Sequence, residues 1–143
     1  MMPALRERIV TAAHQRAVSA GKVPRRSYAH YYIEADGLHS RLHLQNYYST
    51  FWPDVDEPAL AHVTAFGNDG ARLGTTDVML PRFGSLFLEA RDLLDRLGAH
   101  ASEGLVAVDL EPPAGVRERL SDLPSPDTVL INTPFWMAYY DAT

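Results

Sequence analysis

Histidine is the residue type in this chain with the widest capacity for chemistry. The sequence has six histidines, and neutral imidazole can bind a metal ion or exchange a proton near neutral pH. His39 and His43 are four residues apart, a spacing that would suit a shared metal ion on a helix. On a strand the two side chains would be about 13 Å apart, at about 3.3 Å per residue, whereas zinc–nitrogen bonds are about 2 Å long. We predict no metal ion; a site shared between strands by His30, His43 and His62 is the alternative.

Signatures of other catalytic chemistry are missing from the sequence. The chain has no cysteine, which excludes disulfides, zinc–thiolate centres and cysteine nucleophiles. It has no Gly-x-Ser-x-Gly motif of serine hydrolases and no glycine-rich phosphate loop or dinucleotide-binding motif. Asp54, Asp56 and Glu57 lie close together, but the glycine and distal glutamate of an EF-hand are absent, so we interpret them as part of a solvated loop. We therefore predict no cofactor.

Aromatic residues are the more informative feature, because most of them fall in three segments, 28–32, 47–52 and 135–140. Tyrosine and tryptophan rings, with histidines as polar groups, suit the wall of a cavity for a hydrophobic or planar ligand. If the three segments meet in space, we expect a ligand site made by eight residues: His30, Tyr32, His43, Tyr48, Trp52, His62, Trp136 and Tyr139. The alternative is that these rings form the core and a subunit interface, where such residues are also enriched.

Short strands are the elements that would position these side chains. Alternation of side-chain type over residues 28–34 and 38–46, with a turn at 35–37 between them, predicts a hairpin. A second hairpin is predicted around the Gly-Asn-Asp-Gly turn at 67–70. The aromatic loop at 47–59 either folds onto the core or binds a ligand. The remaining elements are strands at 60–66, 73–80, 85–88, 105–110 and 129–140, and short helices at 90–97 and 116–123.

This series of short strands and turns predicts a mainly β fold, an antiparallel β-sandwich of immunoglobulin-like or jelly-roll type. Residues 3–20 have the apolar spacing of a helix that ends at Gly21. We therefore divide the chain into a basic N-terminal helix and linker, residues 1–26, and a β-sandwich domain, residues 27–143, with short decorating helices.

Charge is distributed unevenly along the chain. Residues 1–26 carry six basic residues and one acidic residue, a net +5, while the rest carries seven basic and seventeen acidic residues, a net −10. A basic arm can bind nucleic acid, but an acidic body repels polyanions. We therefore expect the arm to lie against the acidic body of its own or a neighbouring chain, and predict that nucleic acid is not a partner.

The composition also bears on location. No apolar run approaches the roughly 20 residues of a transmembrane helix, and the sequence has no recognisable signal peptide. Lys22 is the only lysine among thirteen basic residues, which is typical of bacterial genomes of high GC content. We therefore expect a bacterial, cytoplasmic protein that does not associate with membranes.

Residues 58–94 resemble a known arrangement. In order, they hold a strand, a turn similar to a D-x-G hairpin, an L-G strand, an L-P step before a short strand, and a D-L helical turn. This order resembles bacterial β-sandwich domains of the sensory-rhodopsin-transducer type. The resemblance covers about a quarter of the chain. It implies an immunoglobulin-like or jelly-roll sandwich that is often oligomeric and is used for binding rather than catalysis.

Two functions follow as hypotheses. The first is a small binding or assembly domain that forms a homo-oligomer through exposed aromatics and edge strands, and that holds a small apolar or aromatic ligand if an aromatic-lined cavity forms. The second is a small biosynthetic enzyme (a cyclase, an isomerase or a metal-dependent enzyme) that uses histidine and tyrosine in a β-sandwich cavity. The lack of a compact catalytic signature favours the first hypothesis, and the combination of histidines with aromatics favours the second.

Overall fold

The computed structural model of the protein describes residues 28–121 and 135–141. The predicted N-terminal helix lies outside the described residues. These residues form seven strands and three short helices. The strands are β1 (Tyr28–Ile33), β2 (Leu38–Gln45), β3 (Ala59–Gly67), β4 (Arg72–Leu80), β5 (Ser85–Glu89), β6 (Glu103–Glu111) and β7 (Phe135–Asp141). The helices are α1 (Tyr48–Phe51), α2 (Ala90–Arg96) and α3 (Ala114–Ser121).

The strands form two antiparallel sheets. Four strands make one sheet in the order β1-β6-β3-β4, and three strands make the other in the order β5-β2-β7. The prediction of a mainly β, antiparallel fold with a few short helices is confirmed. Strand positions agree with the predicted ones to within a few residues, because the alternation of inward and outward side chains is a direct property of strand geometry. The first part of the last predicted strand, residues 129–134, lies outside the described residues.

The β3–β4 hairpin is formed as predicted. Its turn is closed by a hydrogen bond from the Gly67 N–H to the Ala71 carbonyl at 2.9 Å. Gly70 has a φ of +79°, a left-handed conformation that glycine adopts without steric cost. The Asp69 carboxylate accepts a hydrogen bond from the Ala71 N–H at 2.9 Å, so the turn is stabilised by the residues that predicted it.

The predicted β1–β2 hairpin is wrong, although its turn is right. Asp36 and Gly37 have φ values of +55° and +81°, and the Leu38 N–H donates to the Ala35 carbonyl at 2.9 Å. Beyond this turn the strands separate, because β1 pairs with β6 whereas β2 pairs with β5 and β7. The chain therefore passes from one sheet to the other at this turn.

Side chains occupy the places that hairpin partners would have taken on β1. The Ser40 hydroxyl accepts a hydrogen bond from the Ile33 N–H at 2.8 Å and donates to the Ile33 carbonyl at 2.9 Å. The Glu34 carboxylate accepts the Ser40 N–H at 2.9 Å. Further along, the Tyr139 hydroxyl donates to the Tyr31 carbonyl at 2.7 Å. The free edge of β1 is thus satisfied by side chains of β2 and β7, which join the two sheets.

A single buried cluster combines side chains from both sheets with α2 and the aromatic loop. On β3 and β6, inward residues alternate with half-exposed or exposed ones along the whole strand. The loop at 47–59 contributes Tyr47, Tyr48 and Val55 to this core, so it is folded onto the protein interior, and it contains α1. Four aromatic side chains are buried in this core: Tyr32, Tyr47, Tyr48 and Phe135.

Candidate functional site

Three of the eight predicted site residues belong to the core or its margin. Tyr32 and Tyr48 are buried, and Trp52 is half-buried with its ring centroid 6.4 Å from that of Tyr48. The Tyr32 hydroxyl donates to the Phe66 carbonyl at 3.3 Å, and the Tyr48 hydroxyl donates to the Leu110 carbonyl at 3.1 Å. These tyrosines satisfy backbone acceptors of the four-stranded sheet.

Two further predicted residues lie where the sheets meet. The half-buried His30 packs edge-on against Phe135, with ring centroids 4.9 Å apart. Tyr139 binds the Tyr31 carbonyl of β1 through its hydroxyl, and burial raises the pKa of Tyr139. Both side chains connect β1 with β7.

His62 stands apart, on the outer face of the four-stranded sheet. Its Nδ1 lies 2.7 Å from an oxygen of Asp77, and its Nε2 lies 3.3 Å from an oxygen of Glu111. The hydrogen bond to Asp77 is the main reason that the pKa of His62 is raised; partial burial opposes the shift, and the bond to Glu111 adds to it. The ring is positioned as a cross-strand bridge between β3, β4 and β6.

His43 and Trp136 come together on the outer face of the three-stranded sheet. Their rings are nearly parallel, with an interplanar angle of 23° and centroids 5.0 Å apart. On the other side of His43 the Phe87 ring lies at 4.4 Å. The strand register explains this row, because His43 is directly opposite both Phe87 and Trp136. Sequence reasoning did not include Phe87, although its outward position follows from the buried Leu88 beside it.

A charged group continues this row along the same face. The Arg41 Nε donates to Glu89 Oε1 at 2.5 Å, and the Tyr140 hydroxyl donates to Glu89 Oε2 at 2.5 Å. The Arg41 guanidinium also lies 5.0 Å from the centre of the Tyr140 ring. Burial acts to raise the pKa of Glu89, but the hydrogen bonds from Tyr140 and Arg41 outweigh it, so that pKa is lowered. Glu89 is therefore held as a carboxylate.

We call this surface the aromatic face; it consists of Arg41, His43, Phe87, Glu89, Trp136 and Tyr140. Phe87 is 61% exposed and Trp136 is 45% exposed. Nε2 of His43 is buried and has no hydrogen-bond partner within the described residues. Large exposed rings on neighbouring strands are typical of interaction surfaces.

A pocket of about 550 Å³ lies elsewhere, between the β1–β2 turn and the connection from α2 to β6. None of the eight predicted residues lines it. Its wall includes Glu34, His39 and Arg91, which also contact one another. His39 Nδ1 lies 2.8 Å from Glu34 Oε2, and Arg91 Nη2 lies 2.7 Å from His39 Nδ1 and 3.2 Å from its Nε2. No sequence signal indicated this pocket, since its walls are adjacent only after the β1–β2 hairpin has split between the sheets.

The eight predicted residues therefore do not line one cavity. Two pairs of them are in contact, His43 with Trp136 and Tyr48 with Trp52, and the others are dispersed. Across residues 28–121 and 135–141, no group of three or more histidine, aspartate or glutamate side chains is placed to hold a metal ion. No helix in the same ranges is long and apolar enough to cross a membrane.

The chain was also compared with known proteins. No family model, no curated protein and no solved structure matches it.

Proposed function

We propose that the protein is a non-catalytic assembly domain whose aromatic face docks against a second copy of the same chain. The observation that carries this proposal is the exposed row of Phe87, His43 and Trp136 across three neighbouring strands. Burying such rings on association removes apolar surface from water, which is the main driving force for most protein association. Their rigidity also keeps the entropic cost of ordering low, since the His43 ring already packs against both neighbours.

The chemistry of the aromatic face favours a second copy as its partner. The surface holds one cation, Arg41, and one anion, Glu89, beside the rings, and the two bond each other. Their charges therefore cancel, and in a two-fold dimer, which brings the same surface of both chains together, the two copies do not repel each other there. Tryptophan, tyrosine and arginine are also the residue types that contribute most to binding energy at interface centres.

The same observations weigh against the enzyme hypothesis for the predicted residues. Tyr32, Tyr48 and Tyr139 use their hydroxyls to bind backbone carbonyls. The three predicted histidines, which are His30, His43 and His62, lie on different parts of the two sheets. An acid–base mechanism needs these groups within hydrogen-bonding reach of one substrate. The placement of these groups supports a binding domain. The proposal does not include the small apolar ligand, because the eight predicted residues do not line one cavity.

The fold proposal is an antiparallel β-sandwich. It is supported by the buried cluster that side chains of both sheets share, since two sheets that pack face to face form their core in this way. An immunoglobulin-like or jelly-roll subtype, a relation to sensory-rhodopsin-transducer domains and a bacterial, cytoplasmic origin stay predictions.

The test is the oligomeric state of the full chain, measured by sedimentation equilibrium over a dilution series. We expect a dimer, and Trp136→Ser or Phe87→Ser should raise the dissociation constant about 30-fold, the effect of losing about 2 kcal/mol at a binding hot spot. Met79→Ser is the matched control, because Met79 is 59% exposed but lies on the other sheet. A monomeric wild-type protein, or equal weakening by Met79→Ser, would refute the proposal.

A further inference from the structure

The pocket beside the β1–β2 turn is a second place where the molecule can bind a ligand. Its volume of about 550 Å³ falls within the range of about 300–1,000 Å³ found for small-molecule sites. It lies beside α2, and its wall residue His39 packs against Tyr140 of the aromatic face, with ring centroids 5.6 Å apart. The pocket is therefore a neighbour of the aromatic face, and the rings of Phe87, His43 and Trp136 do not line it.

One wall of this pocket is held rigidly by hydrogen bonds. Glu34 accepts the Ser40 N–H at 2.9 Å, and its side chain is only 8% exposed. His39 Nδ1 lies 2.8 Å from Glu34 Oε2 and 2.7 Å from Arg91 Nη2, so the imidazole ring is in contact with both the carboxylate and the guanidinium. Arg91 Nε also lies 3.7 Å from Glu34. Because these groups are fixed before any ligand arrives, binding would not have to order them.

Other side chains of the pocket are free to bind. The side chains of Asp36, Asp95 and His100 line the pocket and make no hydrogen bond or ion pair within the described residues. Arg91 is 60% exposed along its side chain, and a guanidinium has five N–H donors. The pocket therefore offers carboxylate acceptors and guanidinium donors, together with apolar surface from Leu94 and Ala101.

We propose that this pocket binds a neutral polyhydroxylated molecule of the sugar or cyclitol class. A hydroxyl group both donates and accepts, so neighbouring hydroxyls can donate to Asp36 or Asp95 and accept from Arg91. An ammonium ligand can only donate and would leave unused the Arg91 donors that His39 and Glu34 do not occupy. A carboxylate or phosphate ligand can only accept, and the two unpaired aspartates would repel it. The C–H surface of a sugar ring suits the apolar patch of Leu94 and Ala101.

The experiment is a titration of the full chain labelled with ¹⁵N, followed by amide chemical shifts. The probes are D-glucose, D-galactose and myo-inositol, with putrescine as a donor-only molecule and succinate as an acceptor-only molecule. We expect at least one of the three polyols to give saturable shifts at the amides of Gly37, His100 and Ser102, and putrescine and succinate to leave them unchanged. Saturation by putrescine or succinate, or no shift with any polyol, would overturn the proposal.

Two variants on the same helix make the test specific. Asp95 lines the pocket and Asp92 does not, yet both are exposed residues of α2. Asp95→Ala should weaken binding of the polyol about tenfold or more, the effect of losing a hydrogen bond to a charged group, whereas Asp92→Ala should leave it unchanged. Equal weakening by both variants would mean that the pocket does not hold the ligand. The oligomeric state does not enter this readout, so the result is independent of the assembly proposal.

Discussion

Replacing Ser40 by alanine tests how the two sheets are joined. The Ser40 side chain is fully buried and its hydroxyl bonds both the N–H and the carbonyl of Ile33. In the alanine variant neither group has a partner, because the register places the Ile33 backbone on the side of β1 that faces away from β6. A buried polar group that loses its partner costs about 1–3 kcal/mol. Two such groups therefore predict a loss of about 2–6 kcal/mol in the free energy of unfolding.

Urea unfolding followed by tryptophan fluorescence, at one fixed protein concentration, measures this loss. Ser85→Ala is the matched control, because Ser85 is exposed at the start of β5 and its hydroxyl makes no hydrogen bond within the described residues. A surface substitution of this kind changes stability by about 0.5 kcal/mol or less. The loss for Ser40→Ala should exceed the control by at least about 1 kcal/mol.

Hydrogen exchange at a single amide separates this mechanism from a general loosening of the core. In the wild-type protein the Ile33 N–H is protected by the Ser40 hydroxyl. In Ser40→Ala, local opening at this amide should become about 30-fold more frequent for a local loss of about 2 kcal/mol. A variant that unfolds at the same urea concentration as wild type, with the Ile33 amide still protected, would refute the role we assign to Ser40.

Two further predictions concern the four-stranded sheet. A Cβ at Gly104 would lie 2.0 Å from a backbone carbonyl oxygen of β3, so Gly104→Ala should destabilise the protein by about 3 kcal/mol or more. Gly115→Ala, in α3, is the control and should stabilise the protein by about 0.5–1 kcal/mol. Equal effects of the two substitutions in urea unfolding would contradict the clash. The pKa of His62 is raised in the folded protein. Protonated His62 therefore stabilises the fold fully below about pH 6.5, the ordinary histidine pKa, and this stabilisation is lost as the pH rises through the raised pKa. Because the His62 ring is about a third exposed, this contribution should be below about 1 kcal/mol. His62→Gln should remove the pH dependence of stability. An NMR titration that gives His62 an ordinary pKa would contradict this prediction.

The elements of the fold could be predicted from the sequence because their signals are local. Alternation identifies a strand, and glycine or aspartate at positive φ identifies a turn. Strand pairing is not local in the same sense. The Asp36-Gly37 turn is compatible with a hairpin, and only the hydrogen bonds of Ser40 to Ile33 show why the strands part. The sequence did contain one indication, because Ser40 lies among the apolar residues on the inward face of β2, and a buried hydroxyl needs a hydrogen-bond partner.

The aromatic segments illustrate why the candidate site could be predicted only in part. The inward residues of β3 include Ala59, Ala61 and Ala65, all fully buried. Small residues on a central strand leave volume that larger side chains must fill, because interiors are close-packed. Tyr32 and Tyr48 belong to the same buried cluster and bond the backbone of β3 and β6 through their hydroxyls, so they are not available to the predicted ligand site. Trp136, by contrast, is 45% exposed and is not part of the buried cluster.

The outer faces of the two sheets differ in a way that bears on assembly. Sheets with one face in water normally carry polar side chains on that face. The four-stranded sheet follows this rule at its centre, where Thr64 and Thr75 hydroxyls lie 2.8 Å apart and His62 bonds Asp77; the exposed Met79 and Leu105 lie on opposite sides of these polar pairs. Leu105 lies directly opposite Tyr31 and Phe66 in the register, whereas Met79 lies opposite Leu60 at the other end of the sheet. The aromatic face places exposed rings on both sides of His43, with Arg41, Glu89 and Tyr140 beside them, so that a single partner can bury them together. Met79 belongs to neither row, and a loss there should not affect association.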